Sequence, residues 1–383
     1  ISLLNRFLNN LQSTQLFNRD DRILVATSGG IDSMVLCELC RQARLDIGLA
    51  HCNFQLRGAA ADADAALVAA FAKSNDLPYF EIKFDTTRIA AERRQSIQLV
   101  ARDLRYEWLE EIRSTQQYNY IATAHHLNDS VETVLYNLTK GTGIRGLHGI
   151  PAKNGYLIRP LLFAERQDIV QFQQQHQVPY REDESNESTK YSRNKIRHDV
   201  IPELTSLNPA FVKTMEGFIG RMQDMESLLE DYLAKAKASC WQQKGELIII
   251  DWQALSALPA HKTLLYELLA PMGFHADQLE QLWRSDRTSG AQFFSHTHRL
   301  VQDREQLWIE ALHRSKLRRL PIGELPCRIR TNDVHLTFEL QDSLPEKWPN
   351  TKRMAFLNFD KLRLPLKLRR WQAGDEFQPL GME

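Results

Sequence analysis

Ile23-Leu24-Val25-Ala26-Thr27 is an apolar run that empties into Ser28-Gly29-Gly30-Ile31-Asp32-Ser33 and then into helix-forming residues, an order that few folds accept. Ile23 to Thr27 has the composition of a parallel strand buried on both faces. Gly29 and Gly30 permit a sharp turn and let backbone N–H groups approach an anion closely. A helix from Ser33 to Arg41 then aims its positive end at the same point. The run reads as a phosphate cradle. It has neither the Gly-Lys-Ser/Thr ending of a Walker loop nor the third spaced glycine of a dinucleotide fingerprint. A strand and a glycine turn also make an ordinary tight loop, so residues elsewhere must decide.

With 383 residues the chain exceeds one ordinary core, and two or three domains are expected. Its 43% hydrophobic and 25% charged content, with no apolar stretch of membrane-spanning length and no signal-peptide pattern, makes the cytoplasm the expected location and a membrane partner unexpected. Five scattered cysteines make no disulfide framework. Cys37 and Cys40 have the spacing of a metal or redox pair, but they fall among Met34, Val35, Leu36 and Leu39, and buried small hydrophobes are the better reading. The net charge is zero, yet from His313 to Glu383 there are 14 Lys and Arg against 9 Asp and Glu. In that basic tail Lys361 to Arg370 alternates basic and apolar residues, which suits a strand facing phosphates or a charged, defended strand edge.

The first half alternates strand-like and helix-like segments, the pattern of an α/β, parallel, doubly wound sheet. Strands are predicted at Ile23 to Thr27, Asp46 to His51, Tyr79 to Phe84, Tyr120 to Ala124 and Tyr156 to Arg159. Helices are predicted at Ser33 to Arg41, Ala60 to Asn75, Ser96 to Ser114, Asp129 to Thr139 and Ala164 to His176. This order brings Ser28, His51 and His125 to one crevice at the carboxyl ends of the strands. A long helix from Pro209 to Trp241 follows as a bridge, its Met and Phe positions core rather than cofactor box. Beyond it come a strand at Glu246 to Trp252, helices at His261 to Leu269 and Asp277 to Trp283, a hairpin over Ala291 to Glu310 and a proline-bearing break at Leu320 to Pro326. A mostly helical middle domain (206–312) and a small α+β domain (313–383) are therefore expected after a catalytic domain (1–205), the last cut short at Glu383.

Three polar blocks fall on the crevice: His51 to Gly58, Ala101 to Tyr106 and Thr123 to Thr133. Asp129 and Glu132, three apart at a helix start, share a face and form a two-carboxylate pocket for an amine or Mg²⁺. Acids offsetting the helix dipole are the alternative. His125 and His126 are adjacent and on a helix would point about 100° apart, which argues against a zinc site. Arg193, Lys195 and Arg197 would clamp a triphosphate or an RNA phosphate, or line a solvated loop.

Taken together, these motifs resemble the tRNA(Ile)-lysidine synthase family of pyrophosphate-loop enzymes, which split ATP into AMP and pyrophosphate. The resemblance rests on the Ser28 to Ser33 loop, Asn53-Phe-Gln-Leu-Arg-Gly58, Ala101-Arg-x-x-Arg-Tyr106, His125-His-x-x-Asp-x-x-Glu-Thr133, Arg159-Pro-Leu-Leu162 and Tyr191-x-Arg-Asn-x-Ile-Arg-His198. Gly374-Asp-x-Phe-x-Pro-Leu-Gly-Met382 is similar to the start of that family's final domain. One departure stands at Asn128-Asp129-Ser130, where the family often has paired aspartates and then glutamine.

The resemblance implies an adenine nucleotide α-hydrolase-like sheet and ligation of free L-lysine to C2 of the wobble cytidine of tRNA(Ile) with a CAU anticodon. ATP activates the cytidine through an adenylated intermediate. ATP would bind at Ser28, Gly29, Gly30, Ile31, Asp32, Ser33, His51, Asn53, Arg193 and Arg197, with Mg²⁺ on Asp32. Arg102 and Arg105 would stabilise charge at phosphorus or orient the cytosine, and Asp129 and Glu132 would bind the lysine. A carboxylate or His126 would take the amine's proton. A homodimer is compatible with the family. The rivals are a tRNA thiolase, which needs paired reactive cysteines in the crevice, and a non-catalytic RNA-binding module.

Overall fold

The computed structural model describes residues 2–182, 192–285, 289–312, 320–330, 335–341, 343 and 354–368. The chain forms two compact units, Ile1–Tyr232 and Leu233–Glu383.

The first unit opens with α1 (Leu3–Thr14), β1 (Ile23–Ala26), α2 (Ile31–Gln42), β2 (Ile47–Asn53), α3 (Ala59–Ser74) and β3 (Tyr79–Lys83). It continues through α4 (Thr86–Arg93), α5 (Ile97–Thr115), β4 (Tyr120–Ala122), α6 (Leu127–Lys140), the short hairpin β5 (Lys153–Asn154) and β6 (Leu157–Ile158), and α7 (Arg166–His176). After α8 (Ser192–Lys195) a π-helical turn at Ile196–Val200 leads into α9 (Ile201–Leu207) and α10 (Phe211–Cys240), within which the unit boundary falls.

The sheet order is β3-β2-β1-β4-β6-β5, parallel except for β5 against β6. Side chains alternate across β1: Ile23 and Val25 pack with α1, α2, α3 and α7, whereas Leu24 packs with Trp108 and Leu109 of α5. Helices therefore cover both faces, as the apolar runs of β1 and β2 require. Gly48 on β2 is fixed by packing, since a Cβ there would lie 2.1 Å from the Tyr118 hydroxyl. The strand order reverses between β1 and β4, and the loops leaving those two strands enclose the crevice.

Most predicted elements are present within a residue or two, with informative differences. The helix expected from Ala164 starts at Arg166, because Asp168 accepts a hydrogen bond from the Glu165 N–H at 2.9 Å and fixes Glu165 as the cap. His125 and His126 are not on a helix: His126 is extended and caps α6.

The second unit holds a five-stranded antiparallel sheet in the order β7-β8-β11-β10-β9. Its members are β7 (Trp241–Lys244), β8 (Leu247–Asp251), β9 (Gln292–Phe294), β10 (His298–Gln302) and β11 (Gln306–Ala311). Between β8 and β9 lie α11 (Trp252–Ser256), α12 (His261–Leu269) and α13 (Ala276–Arg284). Two small antiparallel pairs follow: β12 (Leu320–Ile322) with β15 (Leu366–Leu368), and β13 (Cys327–Arg330) with β14 (His335–Phe338). β15 occupies part of the predicted basic strand; Arg369, Arg370 and the Gly374 to Met382 motif lie outside the described residues. Among the described residues no helix is long and apolar enough to cross a membrane.

Candidate active site

The loop after β1 is knitted by its own hydroxyls. The Ser33 hydroxyl donates to the Gly30 carbonyl at 2.9 Å and accepts the Ser28 N–H at 3.2 Å, while Ser28 Oγ accepts the Gly30 N–H at 3.3 Å. Gly29 sits at φ +88°, where other residues are strained, and an added Cβ would press on Asp64 Cβ at 3.3 Å. Gly30 caps α2 and has no side chain of its own to bond the first turn, so the hydroxyls bonded at this helix start are those of the loop itself, Ser28 and Ser33. Such a start, after a glycine turn, is suited to an anion.

His51 and Asn53 brace the neighbouring loops. His51 Nδ1 donates to the Thr27 carbonyl at 2.8 Å, and burial lowers its pKa. Asn53 donates to Asp62 at 2.9 Å and accepts the Gln55 N–H at 3.0 Å. Asp64, buried beneath Gly29, accepts from Arg57 Nη2 at 2.8 Å and Arg181 Nε at 2.9 Å. The Arg181 backbone N–H also donates to the Gly29 carbonyl at 3.0 Å.

Across the crevice, the extended Thr123 to His126 segment delivers its two histidines to different partners. His125 Nδ1 lies 2.9 Å from Thr123 Oγ1, and burial pushes its pKa down to about 4 against the opposing pull of Asp129. His126, fully buried, directs Nε2 to 3.8 Å from Asp32 and 3.6 Å from Asp129. Asp129 also accepts the His126 backbone N–H at 2.9 Å, which ties the acid to the helix start.

The carboxylate pair shares one face of α6, as the spacing predicts, and Arg197 occupies that face. Its Nε donates to Glu132 Oε1 at 2.6 Å, and its Nη2 donates to Glu132 Oε2 at 3.0 Å and Asp129 Oδ1 at 3.2 Å. Burial works against the guanidinium charge, but Glu132, Asp129 and Asp32 outweigh it and raise its pKa. The π turn carries Arg197 into this position. Arg193 lies elsewhere, with Cζ 5.8 Å from the ring of Tyr136 on α6.

Asp32, the expected metal ligand, is held at both oxygens by Arg166 Nη1, at 2.9 and 3.1 Å. Asn128 completes the contact by accepting the Arg166 N–H at 2.9 Å. Position 128, where the sequence departs from the family, thus joins the starts of α6 and α7. Arg102 and Arg105 form a basic wall on α5: Arg105 lies over the Phe54 ring at 5.4 Å and Arg102 over Tyr106 at 5.3 Å. Arg159, buried beside them, donates to the Pro151 carbonyl at 2.6 Å, and burial, together with the charge of Arg102, lowers its pKa.

Arg166, Asp64, Arg181 and Arg57 were not singled out by sequence reasoning. Arg159 and Arg57 carry a partial signal in the Arg159-Pro-Leu-Leu162 and Asn53-Phe-Gln-Leu-Arg-Gly58 motifs, whereas the Arg166–Asp32 and Arg181–Asp64 pairs span too much chain for spacing to reveal. Arg166 and Asp32 are 134 positions apart.

A PP-loop domain model matches residues 3–204 of this chain, more than half of it, and a TilS substrate binding domain model matches residues 243–312. The tRNA(Ile)-lysidine synthase of Parabacteroides distasonis is 37% identical over 375 residues, covering 97% of this chain and 85% of that protein. This chain belongs to the tRNA(Ile)-lysidine synthase family. The lysidine synthase of Porphyromonas gingivalis strain W83 is 38% identical over 408 residues, covering 100% of this chain and 86% of that protein. That of Clostridium acetobutylicum is 28% identical over 411 residues, covering 100% and 87%. As a lysidine synthase, the chain is a ligase whose PP-loop domain binds ATP and whose substrate is a tRNA. The cysteine chemistry of a thiolase has no counterpart in the crevice: Cys52, beside it, is pushed up to about 12 by burial, and Cys37 and Cys40 are buried in the core.

Proposed function

We propose that the chain joins free L-lysine to C2 of the wobble cytidine of an isoleucine tRNA bearing a CAU anticodon, converting ATP to AMP and pyrophosphate. The observation that carries this reading is the meeting, between β1 and β4, of an anion-suited helix start and an acidic face.

The Ser28 to Ser33 loop and the start of α2 receive the phosphates of ATP, the loop turning at Gly29 through a left-handed backbone. The donor set fits Mg²⁺ only in its usual sparse manner, one or two carboxylates completed by substrate phosphates, since no described group of three or more His, Cys, Asp or Glu residues is placed around one ion. Asp32 would hold that ion, which neutralises phosphate charge when bound, and Arg166 would then share or release the carboxylate. Arg102 and Arg105 stabilise charge while the C2 oxygen of cytidine bonds to the α-phosphorus and pyrophosphate departs.

Lysine then approaches from the α6 side. Asp32, Asp129 and Glu132 supply three carboxylates against the guanidiniums of Arg166 and Arg197, a surplus of one negative charge that an ammonium neutralises. The ε-amine must lose its proton to attack, although its solution pKa is about 10.4. Asp129 or His126, 3.6 Å apart, receives the proton as the C2–N bond forms and the C2–O bond to AMP breaks. The basic segment after His313 supports tRNA affinity, the three-part division at 205 and 312 separating it from the catalytic part.

Incorporation of labelled lysine into a CAU-bearing isoleucine tRNA transcript, compared with a methionine tRNA, tests the reading. Label on the isoleucine transcript alone is expected. AMP formation without label would remove lysine as the nucleophile.

A further inference from the structure

We propose that the exposed turn between α4 and α5, Arg93 to Leu99, is the edge on which the first unit docks the anticodon loop of its tRNA, with Arg94 holding a phosphate and Ile97 and Leu99 meeting unstacked bases. The inference rests on the reading of the substrate as an isoleucine tRNA presented by its wobble cytidine. Every residue from Ala91 to Leu99 is exposed, including two large apolar side chains, Ile97 at 41% and Leu99 at 45%. Neither belongs to the small core of Ala90, Val100 and Leu104 that joins the two helices. Leu99 stands three residues before Arg102 on α5, on the same face, and so continues the basic wall of the crevice outward. The other helix is moored to the crevice as well. The Thr86 hydroxyl at its start donates to the Phe54 carbonyl at 2.9 Å, and the Phe54 ring stacks on Phe84 and lies beneath Arg105.

Charge selects the partner. From Asp85 to Glu107 five arginines meet four acids, and the pairing is uneven. Arg88 takes both Asp85 and Glu92, and Arg93 reaches Glu107 at 3.8 Å. Arg94, Arg102 and Arg105 make no ion pair among the described residues, and Asp103 lies in a separate hollow with Tyr106, Glu107, Glu110 and Tyr156. Exposed apolar side chains among unpaired guanidiniums suit a single-stranded RNA loop, whose phosphates accept from arginine and whose unstacked bases need apolar contact. Arg94 also ends α4 in the left-handed conformation, at φ +53°, with its N–H on the Ala90 and Ala91 carbonyls. Glycine is the ordinary residue at such a helix end, so an arginine there costs stability.

That cost supplies the test. The full chain, unaltered, as Arg94→Gly and as Ile97→Gln with Leu99→Gln, is titrated with a synthetic RNA hairpin carrying the isoleucine anticodon stem and loop, at low and moderate salt, and its urea midpoint is recorded. In Arg94→Gly the midpoint is expected to hold or rise. Its hairpin affinity should nevertheless fall about two- to fivefold, the range of an exposed ion pair, and the slope of log affinity against log salt should shrink by about 1. The apolar double variant should bind about tenfold more weakly with the salt slope unchanged. Should that variant fail to fold, Arg94→Gly decides. Unchanged affinity in Arg94→Gly overturns the proposal, as does an unaltered chain that does not bind the hairpin. Unchanged affinity with an altered sedimentation coefficient in the double variant would make the face a contact between copies of the chain and overturns it equally. Intact hairpin binding by the variants, beside lysine labelling of the full tRNA by the unaltered chain, sinks this inference alone. Absence of that labelling sinks the reading beneath it.

Discussion

Arg197 grips both oxygens of Glu132, through Nε at 2.6 Å and Nη2 at 3.0 Å, and with the same Nη2 reaches Asp129. In the free chain, therefore, an arginine occupies the face that the mechanism assigns to lysine. On the proposed function, the substrate amine shares these carboxylates with a resident cation, and the second step depends on how Arg197 yields.

Arg197→Ala leaves Glu132, whose side chain is 6% exposed, as a buried charge without its partner. A stability loss of about 1–3 kcal/mol is expected in urea denaturation, reduced from the range for fully buried pairs because Arg197 is one-third exposed. Adding Glu132→Gln should recover part of it. Equal loss in the single and double variants would show that the pair is not the source.

Gly29→Ala places a side chain at φ +88° and against Asp64. About 1–3 kcal/mol of stability should be lost in urea denaturation, together with affinity for ATP in equilibrium binding. Full ATP affinity in this variant would mean that the phosphates lie elsewhere.

Acid should destabilise the fold through its buried histidines. His125 is pushed down to about 4 by burial and His51 is lowered by the same cause, against an ordinary histidine value of 6.5. Between about 6.5 and 4 the unfolded chain binds protons that the folded chain refuses. The contribution is fully present above 6.5 and is lost as pH falls toward 4. Urea midpoints at neutral and mildly acidic pH should therefore drop with acid, and drop less in His125→Gln.

Arg102→Ala should slow adenylyl transfer to tRNA by about a hundredfold in single-turnover assays and leave tRNA affinity nearly intact. Equal single-turnover rates would remove Arg102 from the first step.

The sheet and the outline of the site are legible in the sequence because their signals are local. Apolar runs such as Ile23 to Ala26 announce buried parallel strands, and a three-residue interval puts Asp129 and Glu132 on one face. α1 carries helical apolar spacing at Leu3, Leu4, Phe7, Leu8 and Leu11, a legible signal that a reading anchored on β1 passes over. α4 is short and mostly polar, so only its Asp85 cap marks it. The charge partners are illegible for a different reason. Arg166 to Asp32, Arg197 to Glu132 and Arg181 to Asp64 are closed by chain topology across 65 to 134 positions, and an arginine at a helix start or in a loop looks the same whether it faces solvent or a buried acid.

The proposed function divides the crevice, with nucleotide chemistry at the β1 loop and the lysine at α6. Its most direct test is transfer of AMP from α-labelled ATP to the isoleucine tRNA in Glu132→Gln, followed by the lysine concentration needed to release that AMP. Adenylyl transfer should persist while the lysine requirement rises steeply. Loss of adenylyl transfer in parallel with lysine use, or an unchanged lysine requirement, would contradict the division.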